Sequence, residues 1–239
     1  MGQGERMAGA SLNRSDRWAS SQRKHYEKGG IGSWFRRYRD QKIFCLLKGE
    51  SHCVIDLGCG EGITLEAMIK TFPRKRCLGI ELDRENTKTC RSLDLPVLNG
   101  SIYDLSIRTE STDDCLLTDV LEHLEDPEKA LKEIRRILKP GGKLIVVIPN
   151  DRNFFWSRLL CLKWKEAFHD PGHARQWGPK AMENLLKKMG FRVTYRGNIP
   201  LWIWSLSLYH MIQVKKDSAG EDRAGGNPRG RSLSVGEGR

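Results

Sequence analysis

The stretch Val54-Ile-Asp-Leu-Gly-Cys-Gly-Glu-Gly62 holds the residue types best suited to seat a ligand. Apolar, strand-forming residues run into a carboxylate, Asp56, and then into a turn with glycine at Gly58, Gly60 and Gly62. A helical pattern follows at once, with Leu65, Met68 and Ile69 on one face. A strand, a glycine-rich turn and a helix N-terminus let free backbone N–H groups approach a ligand closely. A dinucleotide site would ask for G-x-G-x-x-G to seat a pyrophosphate. Here the third glycine comes one residue early, and Asp56 beside the turn would repel a pyrophosphate. The chemistry suits a ligand whose charged head includes a cation.

Further groups fall at positions where the same ligand could reach them. Glu81, in Gly79-Ile-Glu-Leu-Asp83, lies 19 residues after Gly62, where the ribose-binding acid of this architecture belongs. Asp83 is placed to cap the helix that follows. The segment Thr118-Asp-Val-Leu-Glu-His-Leu124 carries Asp119, Glu122 and His123 at i, i+3 and i+4, so a helical turn would put them on one face. Downstream, Asn150 to Gly178 gathers Phe154, Phe155, Trp156, Trp164, Phe168 and Trp177 around His169-Asp-Pro-Gly-His173. Pro171-Gly172 interrupts any regular helix there, so His169 and His173 are not a helical metal pair. They are candidate lid residues and general bases, or they brace the loop. The aromatics, with Trp202 and Trp204, suit an apolar or aromatic substrate, and core packing accounts for them equally well.

The elements that must position these residues alternate. Ser33 to Lys48 reads as an amphipathic helix with Trp34, Phe35, Tyr38, Ile43, Leu46 and Leu47 as its apolar content. Strands follow at Cys53 to Leu57, Arg76 to Leu82, Val97 to Asn99 and Asp114 to Thr118. Asp126-Pro127-Glu128 is a helix start, with a cap, a proline at the first helical position and an acid in the first turn. Ala130, Leu131, Ile134 and Leu138 form its apolar face, and Lys139-Pro-Gly-Gly142 ends it. Lys143 to Ile148 is a continuous apolar run, fit for a strand buried on both faces. Pro179 to Met189 is a helix stopped by Gly190, and Phe191 to Arg196 and Tyr209 to Lys215 are the last strands. Such alternation predicts an α/β fold, a Rossmann-like, mostly parallel sheet with helices on both faces and its ligands at the carboxyl ends of the strands.

The glycine-rich corner resembles the first motif of the class I S-adenosylmethionine-dependent methyltransferases. That cofactor's head carries a sulfonium and an ammonium. Thr118 to Leu124, and the run from Asp126-Pro-Glu-Lys-Ala-Leu through Leu138-Lys-Pro-Gly-Gly-Lys-Leu144, resemble the small-molecule branch that includes the ubiquinone-biosynthesis O-methyltransferases. The likeness spans about Tyr38 to Arg196. It implies S-adenosyl-L-methionine as cofactor, held by Asp56, Gly58, Cys59, Gly60, Glu81, Leu82, Ser101, Ile102 and Thr118, with Ser101 and Ile102 of Asn99-Gly-Ser-Ile-Tyr-Asp104 against adenine. Some relatives are thought to hold a divalent metal on an acid-x-x-acid-His set like Asp119, Glu122 and His123; His123 can also act as a neutral imidazole that orients or deprotonates the acceptor, or be structural. No metal is assigned, and the candidate catalytic groups are His123, His169 and His173. Strand 4 is not followed by the Asn/Asp-Pro-Pro-Tyr/Phe element of many DNA-adenine and protein-glutamine N-methyltransferases, and no Pro-Cys pair supplies a cytosine-C5 nucleophile.

The chain of 239 residues has room for one domain with a sizeable core, here residues 33–215 with 150–178 as a substrate lid. Its net charge of +11 is uneven, since Met1 to Glu50 carries 11 Lys/Arg against 5 Asp/Glu. Residues 1–32 read as a mobile basic arm and 216–239 as a disordered tail. No apolar run reaches the length of a membrane span, and the N-terminus has no signal-peptide pattern. Seven cysteines, none in C-x-x-C spacing, read as reduced thiols of a cytoplasmic protein. The expected acceptor is a small molecule or lipid-like compound, methylated at oxygen; the basic arm can serve RNA or make peripheral contact with an anionic membrane surface, or it is a solvated tail. RNA methylation through that arm, and a catalytically silent binding subunit, are the rival readings.

Overall fold

The computed structural model describes residues 22–150, 177–201 and 206–217. Helix α1 spans Ile31–Leu47, and the glycine-rich turn joins strand β1 (Cys53–Leu57) to helix α2 (Ile63–Thr71). Then come β2 (Arg76–Glu81), α3 (Arg84–Ser92), β3 (Val97–Asn99), β4 (Thr112–Thr118), a 3₁₀ turn (Leu121–His123), α4 (Pro127–Ile137) and β5 (Leu138–Pro149). After these lie α5 (Pro179–Lys188), β6 (Phe191–Ile199) and β7 (Tyr209–Lys216). The strands form one sheet in the order β3-β2-β1-β4-β5-β7-β6. β1 to β5 run parallel, and β7 lies antiparallel between β5 and β6. This is the mostly parallel α/β sheet that the alternating pattern predicts. The order reverses between β1 and β4, and the crevice outside the carboxyl ends of strands at such a switch point is where ligands bind.

Side-chain alternation splits the core in two. Along β5, Leu144, Val146 and Ile148 pack with Leu131, Ile134 and Met182 of α4 and α5. Ile145 and Val147 turn the other way, into a cluster with Ile43 and Leu47 of α1 and Leu65 and Met68 of α2. A strand sandwiched between helices on both sides must be apolar throughout, which is why Lys143 to Ile148 shows no alternation. On β1, Val54 belongs to the α1–α2 side and Ile55 and Leu57 to the other, so Asp56 points toward α1 and α2.

The caps are those expected: Asp83 accepts from the Asn86 N–H at 2.8 Å, and Asp126 from the Lys129 N–H at 3.0 Å. β5 starts earlier than the apolar run suggests. Leu138 already pairs with Thr112, but the next pairs are Asp114 with Lys143, so 139–142 bulge outward between them. The described part of the expected N-terminal arm is not loose. Residues 22–27 are helical, the Arg23 N–H donates to Glu61 Oε2 at 2.5 Å, and its guanidinium reaches Glu66 Oε2 at 2.8 Å. Composition alone hid this, because one arginine clamped on two acids at the start of α2 needs no apolar pattern. The ordered domain therefore begins before the expected boundary at 32. Among the described residues no helix is long and apolar enough to cross a membrane.

Candidate functional site

The glycine-rich turn is held from beneath by β2. The Gly58 and Cys59 N–H groups both donate to the Ile80 carbonyl, at 2.8 and 3.1 Å. The Gly60 N–H donates to Glu81 Oε2 at 2.7 Å, and the Asp83 N–H to Glu81 Oε1 at 2.8 Å. Glu81, only 9% exposed, thus clamps the turn to the end of β2, and each of its oxygens keeps a second lone pair. Two of the glycines do different work. At Gly62 (φ +76°) an added Cβ would lie 2.6 Å from Leu95 Cδ1 and 2.9 Å from Cys90 Sγ, so packing behind the turn requires glycine. At Gly60 (φ +56°) a Cβ would meet nothing within 4 Å, so this glycine faces open space that a ligand can fill.

That space belongs to a cleft of about 240 Å³ bordered by Asp56, Gly58, Cys59, Gly60, Thr118 and His123. Gln22, Arg36 and Arg39, from the helical turn and α1, complete its wall. Among the residues that line it, which include Asp119, three buried oxygens have no hydrogen-bond partner: Asp56 Oδ2, Thr118 Oγ1 and Asp119 Oδ1. Such atoms cost free energy unless something donates to them. Burial, and next the neighbouring Asp40 carboxylate, push the pKa of Asp56 up to about 7; Glu81 adds to this and Arg39 opposes it. A cation entering the cleft would favour the ionised form.

Asp119 sits in the left-handed region (φ +55°), an uncommon conformation for a residue other than glycine. Its Oδ2 accepts from Arg39 Nη1 at 2.6 Å. Arg39 is 2% exposed, donates also to Asp40 Oδ1 from Nη2 and Nε at 3.0 and 3.2 Å, and stacks 5.3 Å from the Tyr209 ring centroid. Burial alone would lower the Arg39 pKa, but Asp119, Tyr209 and Asp40 outweigh it, so the guanidinium stays charged.

The expected face of Asp119, Glu122 and His123 does not form. Asp119 lies outside the 3₁₀ turn and is committed to Arg39, Glu122 is buried (2% exposed), and His123 is exposed at the cleft. A tighter turn with a left-handed residue before it destroys the i, i+3, i+4 alignment. Among the described residues no group of three His, Cys, Asp or Glu side chains is gathered to hold a metal. His169 and His173 lie outside the described residues.

Of the other expected residues, Glu81, Leu82, Ser101 and Ile102 stand at the next strand ends. The Asn99 amide donates to the Glu81 and Leu82 carbonyls at 2.9 and 3.0 Å, joining the ends of β2 and β3. Leu82 is 70% exposed, an apolar side chain left bare beside the turn, and Ile102 packs partly on the core. Ser101 Oγ accepts from the Tyr103 N–H at 3.2 Å. From Asp56 to the end of β3 is two strand spacings, about 10 Å, which a nucleoside joined to an amino-acid chain can span. A larger open groove of about 510 Å³, lined by Lys75, Arg76 and Asp94 among others, lies at the amino end of β2, away from the glycine-rich turn.

Sequence reasoning missed Arg39 and Thr64, whose hydroxyl accepts from Arg39 Nη2 at 3.4 Å, and with them Arg36 and Gln22. A signal was present. Arg39-Asp40 stands four residues before Ile43-Phe44, hence on the apolar face of α1, where a lone charge pair marks a buried polar function.

Residues 55–146 match the family model described as a methyltransferase domain. A probable S-adenosylmethionine-dependent methyltransferase of Mycolicibacterium smegmatis is 27% identical over 164 residues, covering 67% of this chain and 60% of that one. The demethylmenaquinone methyltransferase of Chlamydia caviae is 26% identical over 187 residues, 67% of this chain and 81% of that one. Among solved structures, a Thermotoga maritima S-adenosylmethionine-dependent methyltransferase, described as a possible histamine N-methyltransferase, aligns with a TM-score of 0.61 and 25% identity over 82% of this chain and 97% of that one. The chain spans only 35% to 63% of the length of the curated relatives it matches first.

Proposed function

We propose, from the chain's membership of the class I S-adenosylmethionine-dependent methyltransferases, that it methylates a small, lipid-like acceptor, and we assign the methyl to oxygen because His123 stands exposed at the cleft as a base for a hydroxyl. The observation that carries the site is the set of unpartnered acceptors, Asp56 Oδ2, Thr118 Oγ1 and Asp119 Oδ1, bordering one cleft beside a glycine with open space in front of it. Three acceptors suit the three N–H bonds of an ammonium and repel a polyphosphate. The cofactor would be held by these three groups at its amino-acid end, by the free lone pairs of Glu81 at its ribose, and by Leu82, Ser101 and Ile102 around its base. When bound, it supplies an activated methyl group on a sulfonium.

The chain's own residues then have modest tasks. Positioning an acceptor in line can contribute about 7–11 kcal/mol. We assign removal of a hydroxyl acceptor's proton to His123, which is exposed at the cleft and joined to the end of β4 by one turn, a role worth roughly 10²–10⁴ in rate. Phe35 and Tyr209, stacked 5.9 Å apart and packed on the core, flank Arg39 of the cleft wall. A lipid-like acceptor is also supported by the demethylmenaquinone methyltransferase among the similar proteins.

The test is transfer of a labelled methyl group from S-adenosylmethionine, with hydroquinones and an RNA mixture offered side by side. Organic-extractable label in an O-methyl ether, lost in His123→Ala, is the expected result. Label in RNA would replace this reading with the nucleic-acid one, and no transfer despite cofactor binding would favour a silent subunit.

A further inference from the structure

Helix α1 has an inner side that serves the cleft and an outer side that serves nothing yet described. On the outer side Trp34 and Ile31 are 63% and 78% exposed. The Trp34 ring stacks on Tyr38 at 5.8 Å and 11°, and Lys42 Nζ sits 5.2 Å from the Tyr38 centroid, so positions i, i+4 and i+8 form one ridge of two aromatics and a cation. Arg37 lies beside it, over the Tyr26 ring at 5.5 Å, and Lys48 extends the same side. The helix's acid, Asp40, is buried and bonded to Arg39. The solvent face of α1 therefore has bases and aromatics and no carboxylate.

A face of this composition is what an interfacial helix presents: apolar and indole groups at the level of the headgroups, and bases toward their phosphates. The site of the face agrees. Arg36 and Arg39 of the same helix line the cleft, and Phe35 stacks on Tyr209 at the end of the sheet where the cleft opens. We propose that the outer face of α1, led by Trp34, Arg37 and Lys42, docks the protein on an anionic lipid bilayer and brings the cleft to an acceptor dissolved there. The proposal rests on the lipid-like acceptor of the preceding reading. A second copy of the chain is a poorer occupant, since charge is depleted from the core of protein interfaces and two such faces would repel.

Flotation of the full chain with phosphatidylcholine vesicles, with and without phosphatidylglycerol, tests it. Binding is expected only to the anionic vesicles, and should weaken as salt is raised. Each base is worth about fivefold in partitioning near such a surface, so Arg37→Ala with Lys42→Ala should cost about 25-fold. Trp34→Ala should also reduce binding, and all three exposed substitutions should leave cofactor binding unchanged. Absence of binding to anionic vesicles, binding to RNA in its place, or unaltered vesicle binding by both variants would each overturn the proposal. Failure of the acceptor reading shows separately, as no methyl transfer to a detergent-dispersed hydroquinone by a protein that still floats.

Discussion

Replacing Glu81 by glutamine separates what holds the turn from what holds a ligand. The carboxylate accepts two backbone N–H groups, from Gly60 at 2.7 Å and Asp83 at 2.8 Å. The glutamine carbonyl can keep one of them, while its NH₂ faces the other donor and leaves it unpaired. Losing one hydrogen bond to a charged, buried group costs about 1.5–3 kcal/mol. For a domain of this size each kcal/mol is worth about 2–4 °C, so Tm should fall by about 3–12 °C. Alanine is the poorer probe, because forfeiting both bonds would cost about 3–6 kcal/mol, a large part of the roughly 5–15 kcal/mol that holds a domain together. Thermal melting without ligand gives the turn term, and calorimetry with S-adenosylhomocysteine gives the ribose term, expected as about a tenfold weaker Kd for about 1.4 kcal/mol. A melting temperature and an affinity both equal to wild type would refute the clamp and the ribose contact together. An unchanged Tm with weakened binding would leave Glu81 as a ligand contact only.

Other substitutions follow from the same geometry. Gly60→Ala should fold with a penalty of about 1–2 kcal/mol for its left-handed backbone yet lose cofactor binding, whereas Gly62→Ala should lose stability first, because its Cβ meets Leu95 and Cys90; melting and calorimetry on the pair check the contrast. Arg39→Met should destabilise by about 3–5 kcal/mol in chemical denaturation, since it strands Asp119 and Asp40. Asp56 predicts a pH dependence. Its native pKa is raised to about 7, so the ligand-free fold gains from its protonation as pH falls below 7, while a bound cation needs the carboxylate. Affinity for S-adenosylhomocysteine should therefore drop by up to about tenfold per unit below pH 7, with proton release on binding near neutrality, and Asp56→Asn should be weak and flat. A wild-type profile as flat as that of the variant would count against a cation seated on Asp56.

The parts of the molecule that were legible in the sequence are those set by local rules. The apolar run of β5, the caps Asp83 and Asp126, and the glycine spacing after β1 each reflect a backbone or burial requirement met within a few residues. What was illegible depends on distant partners. Arg23 is ordered by Glu61, 38 residues away, and Arg39 by Asp119, 80 residues away, and neither shows in a window. Asp119, Glu122 and His123 looked like one helical face because spacing was read as if the turn were α-helical; the left-handed backbone at Asp119, imposed where β4 ends and Arg39 waits, could not be inferred from three residue types. The unpartnered oxygens that define the cleft are likewise a property of the assembled strand ends.

The most direct measurement is calorimetric titration of the full chain with S-adenosylhomocysteine. The account predicts one site with Kd in the micromolar range, about −8 kcal/mol, weakened by Glu81→Gln and abolished by Gly60→Ala. No binding by the intact protein, or equal binding by Gly60→Ala, would contradict it.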